Sequence, residues 1–388
     1  MTDWAARAAR LADELAAAGK LVTPQWQAAV RAVPRHELVP VHFRQDPATG
    51  EWTEAATELD LAYSNTVLVT KIGPIHGPWG AAVGALSSAS QPGLVTRMLE
   101  ALDVHDGNRI LEIGTGAGYN AALLCYRLGD DNVFSVDIEP DLVDKAREQL
   151  SRLGFHPTLA AVDGGAGLPE HAPYDRIIAT CSVPSVPWSW VEQVRPDGLI
   201  LADVKPRFGT GNLALLRRYS DRAEGHFDKT WAGFMTIRHP NDMDEATAST
   251  PPQEPGHTRT TTMPIPRPWE HLLFWFFAQP SLPGPVRHRR LRGDDGTLHR
   301  TRLAATDGSW CEIDTTDHTD HRTVIEGGPT RLWETLEHAH ERWGHADQPT
   351  WDRFGLTVTP HHQWAWLDHP ASDWHWDLPR ESPLTATE

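Results

Sequence analysis

The chain is short of cysteine, of basic charge and of long apolar runs, and each shortage removes a class of function. Its three cysteines, Cys125, Cys181 and Cys311, are far apart in 388 residues and none lies in a CxxC pair. A disulfide framework and a cysteine zinc site are therefore not expected. Lys and Arg number 35 against 52 Asp and Glu, a formal charge of −17. Neutralising nucleic-acid phosphates needs the opposite balance, so no nucleic-acid partner is expected. No apolar run approaches the roughly 20 residues of a membrane span. The first 20 residues, MTDWAARAARLADELAAAGK, follow an amphipathic helix pattern interrupted by acids rather than a secretory signal. The expectation is a cytoplasmic protein with no membrane partner.

What is present divides the chain in two. Residues 1–220 alternate helix and strand patterns. Helices are expected at Trp4–Ala18, Pro24–Ala32, Gln91–Leu102, Tyr119–Leu128 and Pro140–Leu153, and strands at Arg109–Ile113, Asn132–Val136, Thr158–Val162, Arg176–Thr180 and Leu199–Val204. Such alternation calls for a doubly wound parallel α/β sheet. Residues 221–262 read as a connecting segment; its stretch 240–262 is rich in Pro and Thr and poor in apolar residues, the pattern of a linker. After an aromatic stretch at Trp269–Phe277, residues 263–388 read as an additional C-terminal domain of α+β type. Eleven of the 17 Trp and 15 of the 21 His lie beyond residue 220. The aromatic run at 351–376 suggests peptide recognition, with a Trp-rich core as the plainer reading. No metal site is expected, because His338, His340, His345, His361 and His362 lack a neighbouring Cys or a helical H-x-x-x-H spacing.

The strongest chemical signal is RILEIGTGAGYN at 109–120, a strand entering Gly114, Gly116 and Gly118 just before a helix. Glycines suit a tight turn that a ligand approaches closely. The spacing is G-x-G-x-G, not the G-x-G-x-x-G of dinucleotide binding, and points to a nucleoside without a pyrophosphate. Asp137 ends the next strand, where a carboxylate can accept from ribose hydroxyls, and Asp163 follows the third, beside an adenine amino group. Glu112, Thr115, Asn120, Ile138, Gly164 and Thr180 complete the expected cofactor set. A Ser pair before Pro92 reads either as substrate-orienting hydroxyls or as a helix cap.

VPRHELVP (33–40), SSASQP (87–92), LEIGTGAGYNAALL and LPEHAPYDRIIAT (168–180) together resemble the protein-L-isoaspartate O-methyltransferase family over residues 8–215. The resemblance implies a class I S-adenosylmethionine methyltransferase fold, with S-adenosylmethionine as cofactor and S-adenosylhomocysteine as product. It implies Ser90 as the catalytic serine with Ser88 beside it, and Tyr63, Ala89 and Gln91 near the substrate. Departures fall on the substrate side. Ser88-Ala89-Ser90 stands where the family has Thr-Ile-Ser, Val162 replaces a glycine, and segments 46–60 and 64–89 are longer than in the family. With the C-terminal half, this layout resembles homologues found beside ATP-grasp macrocyclases in graspetide biosynthesis. That likeness implies methylation of an L-aspartate in a modified precursor peptide, with closure of the ester to aspartimide. Repair of isoaspartyl residues is the alternative.

Overall fold

The computed structural model describes residues 3–77, 80–207, 210–239, 256–264, 271–292, 296–315 and 321–378. Its centre is a ten-stranded sheet. Five parallel strands lie in the spatial order Thr158–Ala161, Val133–Asp137, Ile110–Ile113, Tyr174–Val183 and Val194–Arg207. Aliphatic side chains fill the central strands because helices cover both faces, and all four residues of Ile110–Ile113 are buried. The helices Tyr119–Leu128 and Pro140–Arg152 follow the first two of these strands in the chain. Chain order runs outward from Ile110–Ile113 in one direction, then resumes on its other side with Tyr174–Val183. That reversal opens a crevice at the strands' carboxyl ends.

The sheet continues antiparallel through Thr210–Arg218, Ala223–Phe227, Phe354–Val358, Gln363–Leu367 and His375–Asp377. The chain's last strands thus return to the sheet begun in its first half, and a division at residue 220 or 263 does not follow a break in the structure. Between them stands a five-stranded antiparallel sheet, in the order His257–Thr261, Arg322–Gly327, Trp310–Asp314, Leu298–Ala305, Val286–Arg292. The helices Leu272–Ala278 and Leu332–His345 pack with it, burying Phe274, Trp275, Trp333 and Leu336. Part of the expected linker is therefore strand: Thr258, Thr260 and Thr261 suit a pleated surface. Residues 240–255 and Trp269 lie outside the described residues.

The Trp-rich run is mostly core. Trp351 and Trp366 are buried, and Trp374 and Trp376 pack against the same cluster as Phe276, Phe277 and Phe354. His340 meets the edge of Phe274, and His362 stacks on Trp364. Trp351, Trp374 and Trp376 thus form core on one face of the ten-stranded sheet, whereas Trp366 lies against Gly355 and His226 on the other, where the exposed His362 stacks on Trp364.

Segments 46–60 and 64–89, together with Val41–Gln45, build one further sheet of four antiparallel strands, ordered Trp52–Ala56, Val41–Gln45, Leu68–Gly77, Gly80–Ala89. Among the described residues no helix is long and apolar enough to cross a membrane.

Candidate active site

Three glycines shape the turn after Ile110–Ile113: Gly114, Gly116 and Gly118 have φ of +98°, +50° and +78°. A Cβ on Gly114 would also lie 2.8 Å from Thr180 Oγ1, which donates to the Gly114 carbonyl. Beneath the turn, Glu112 is fully buried. Its carboxylate accepts from Asn120 Nδ2 at 2.8 Å and Ser135 Oγ at 2.6 Å, and Ser135 Oγ lies 2.7 Å from Thr115 Oγ1. Burial pushes the Glu112 pKa up to about 7 against the pull of those two donors. Glu112, Thr115 and Asn120 therefore brace the turn from behind. None of the three lines the cleft, and neither does Gly118, which packs on Ala146 and Leu150.

A cleft opens in front of the turn. Ile113, Gly114 and Gly116 form its floor, with Val136, Asp137 and Ile138 on one side and Gly164, Thr180 and Cys181 on another. Asp137 is held in place: Gly116 N–H donates to Oδ2 at 2.9 Å and Glu139 N–H to Oδ1 at 3.2 Å. The remaining walls are Leu86, Ser87 and Ser88 from the hairpin, and Phe234 to Arg238.

The second of those walls lies within residues 221–262, where the sequence alone suggests only a connecting segment. It is pinned by residues far off in sequence. Phe234 N–H donates to the buried Asp203, Lys205 Nζ donates to the Phe234 carbonyl at 2.6 Å, and Met235 and Ile237 exchange backbone bonds with Ser182. Charges then tie both overhanging walls to the strand ends. Lys71 Nζ donates to Glu139 at 2.6 Å and to Asp141 at 2.8 Å, while Arg238 pairs with Glu139 and donates to the Leu86 carbonyl at 3.3 Å. Burial disfavours charge on Glu139, but Lys71 and Arg238 outweigh it and hold its carboxyl below the usual range.

Other expected residues sit outside the cleft. The Asp163 carboxylate accepts from Gly165 N–H at 2.8 Å and lies 2.9 Å from His239 Nδ1, and its neighbour Gly164 is the lining residue. Ser88 reaches the cleft; Ser90 is not among its lining residues. Neither serine caps the following helix, whose cap position is Gln91 with no side-chain bond. Gln91 Nε2 donates to the Asn65 carbonyl at 2.9 Å. Tyr63 is buried beside Trp4 with its hydroxyl 2.7 Å from His36 Nδ1, and Ala89 is buried. Arg35, from the VPRHELVP motif, fixes this region from within. Wholly buried, it donates to the carbonyls of Ala62, Thr66, Ala89 and Ser90.

Residues 6–231 match the family described as protein-L-isoaspartate(D-aspartate) O-methyltransferase. A protein-L-isoaspartate O-methyltransferase of Myxococcus xanthus is 41% identical over 137 residues, 35% of this chain and 64% of that protein. One from Methanocella arvoryzae is 37% identical over 174 residues, 44% of this chain and 78% of its own. A solved structure titled protein-L-isoaspartate O-methyltransferase aligns with 91% of this chain and 96% of its own, at a TM-score of 0.51 and 19% identity. The fold is thus shared well beyond the first 220 residues.

Proposed function

The chain belongs to the protein-L-isoaspartate(D-aspartate) O-methyltransferase family, S-adenosylmethionine-dependent carboxyl O-methyltransferases of class I fold, and from that premise we propose that it methylates the side-chain carboxylate of an aspartate-derived residue in a polypeptide. The observation that carries this reading is the cleft itself. A glycine turn admitting close approach, a braced Asp137 at the strand end and the Ser87–Ser88 wall face one another across a single cavity.

The residues present fit the cofactor. Asp137 would accept from the ribose hydroxyls, Gly114 and Gly116 leave room beside the backbone, and Ile113, Val136 and Ile138 offer apolar surface to the nucleoside. When bound, it supplies an electrophilic methyl group on a sulfonium. The acceptor carboxylate, with an ordinary pKa of about 4, is ionised at neutral pH and needs no strong general base. The chain's task is alignment and exclusion of water. Ser87 Oγ and the Ser88 carbonyl lie nearest the turn at Gly116; the Ser88 hydroxyl would donate to the carboxylate, and the walls around Leu86 and Phe234 to Arg238 would shield it. Ser90, two residues on, is held by Arg35 through its carbonyl.

Two acceptors compete. The matched part of the family, and a family structure aligned over nearly the whole chain, favour an isoaspartyl residue. An L-aspartate of a macrocyclic precursor peptide, its ester closing to aspartimide, is favoured by the rebuilt Ser88-Ala89-Ser90 segment and the long hairpin before it. Incubation with labelled S-adenosylmethionine and an isoaspartyl peptide, or linear and macrocyclised aspartyl peptides, separates them. Methylation of the isoaspartyl peptide alone supports the first. Methylation of the macrocycle alone, followed by loss of methanol, supports the second and calls for a macrocyclase partner.

A further inference from the structure

The hairpin Leu68–Gly77 and Gly80–Ala89 is the outermost part of the four-stranded sheet, and Gly80–Ala89 is paired on one side only among the described residues. A long strand with an unpaired flank is a template for another strand, and proteins usually guard it with Lys, Pro or other charge. Here Ala82 to Ala89 carry neither charge nor proline. Val83 is 60% exposed. By contrast the other edge, Trp52–Ala56, is five residues long and carries Glu54. Pairing puts Gly73, Ile75, Gly84 and Leu86 on one face, where Ile75 covers Gly84 and Leu86 covers Gly73. The strand then runs directly into the cleft, which Leu86, Ser87 and Ser88 line.

Charge points the same way. No Asp or Glu stands between Asp60 and Glu100, in a chain holding 52 acidic residues. Behind the end of the strand lies the guanidinium of Arg35, whose hydrogen bonds go to carbonyls rather than carboxylates. The fold brings Glu139 and Asp141 to the hairpin's base, where Lys71 pairs with both and Arg238 with Glu139, which reduces their repulsion of an anionic acceptor.

We propose that the outer edge of Gly80–Ala89 receives the substrate as an added strand, an extended polypeptide segment whose acceptor carboxylate enters the cleft at Ser88. This rests on the reading above and deepens it by naming the substrate's form. At about 3.3 Å per residue, five paired residues would span roughly 17 Å of the hairpin edge. Main-chain pairing gives affinity with little demand on side chains.

The test uses two acceptor peptides with the same methylatable residue, one capped at three residues and one of ten. Both are assayed with the intact chain and with a variant in which residues 74–83 are replaced by Asn-Gly, closing the hairpin on the Gly73–Gly84 pair. The expected KM for the long peptide is about tenfold below that of the short one. Shortening the hairpin removes that advantage while leaving the short-peptide KM and the S-adenosylmethionine Kd unchanged. N-methylation along the long peptide should weaken it at alternate nitrogens. Equal KM values for both peptides in the intact chain overturn strand addition and leave methylation standing; methylation of neither overturns both. A dimer by sedimentation that the shortened hairpin abolishes would assign the edge to a second copy and also overturn the proposal.

Discussion

Glu112 is a carboxyl buried without a cation, and its cost depends on pH. Its folded pKa of about 7 exceeds the unfolded value, so its contribution to stability is complete below the unfolded pKa and is lost as pH rises through about 7. Glu112→Gln should cancel this dependence. The stability of wild type relative to the variant should fall by up to about 3 kcal/mol between pH 4 and pH 8, followed by urea unfolding. A constant difference would mean that Glu112 titrates normally. In front of the turn, Asp137→Ala should weaken S-adenosylmethionine binding by about a hundredfold in calorimetry, the loss of two charge-assisted bonds. Near-normal affinity would remove the ribose assignment. Ser88→Ala should lower kcat with cofactor affinity intact and Ser90→Ala should do less; the reverse order would mean that Ser90 turns into the cleft with substrate. The glycines and Asp137 were legible because turn chemistry is local. Lys71 and Arg238 were not, because they meet Glu139 across 68 and 99 residues and only the fold brings them there.

At the scale of elements, periodicity located the helices closely: Pro24–Ala32 and Tyr119–Leu128 have the expected ends. Strands proved longer than expected, Tyr174–Val183 and Val194–Arg207 most of all, because pairing extends a strand past its apolar centre. The hairpin, by contrast, was legible only as an enlarged loop, since its many glycines and alanines carry no alternation. Its hold on the cleft centres on Glu139, which receives both Lys71 from the hairpin and Arg238 from the opposite wall, with Asp141 sharing Lys71 and the Leu86 carbonyl sharing Arg238. Glu139→Gln should loosen both walls, leaving Lys71 on Asp141 and Arg238 on the Leu86 carbonyl, and speed cofactor dissociation about tenfold by stopped-flow. In wild type that rate should rise with salt, since half-exposed ion pairs are screened. A salt-independent rate, unchanged in the variant, would show that the walls are held by packing alone.

For the whole molecule, composition suggested a separable second half, yet the structure joins the two through one sheet. Antiparallel pairing between Ala223–Phe227 and Phe354–Val358 could not be read from sequence, because the partners are more than a hundred residues apart and β-pairing leaves no distant signature. The aromatic residues seal that seam: Trp351 lies between Phe227, Phe276 and Phe354. Trp351→Ala should cost about 3–5 kcal/mol, and unfolding should remain a single transition if the halves form one cooperative unit. Two separated transitions would mean that the second half folds apart. The central claim, that this one molecule transfers methyl to a peptide carboxylate, is tested most directly by offering isoaspartyl and macrocyclised aspartyl peptides with methyl-labelled S-adenosylmethionine. The account predicts label on the peptide that mild base releases as methanol, because a carboxyl ester hydrolyses there. Label that resists base, or cofactor bound tightly with no transfer to any aspartate-derived carboxylate, would contradict it.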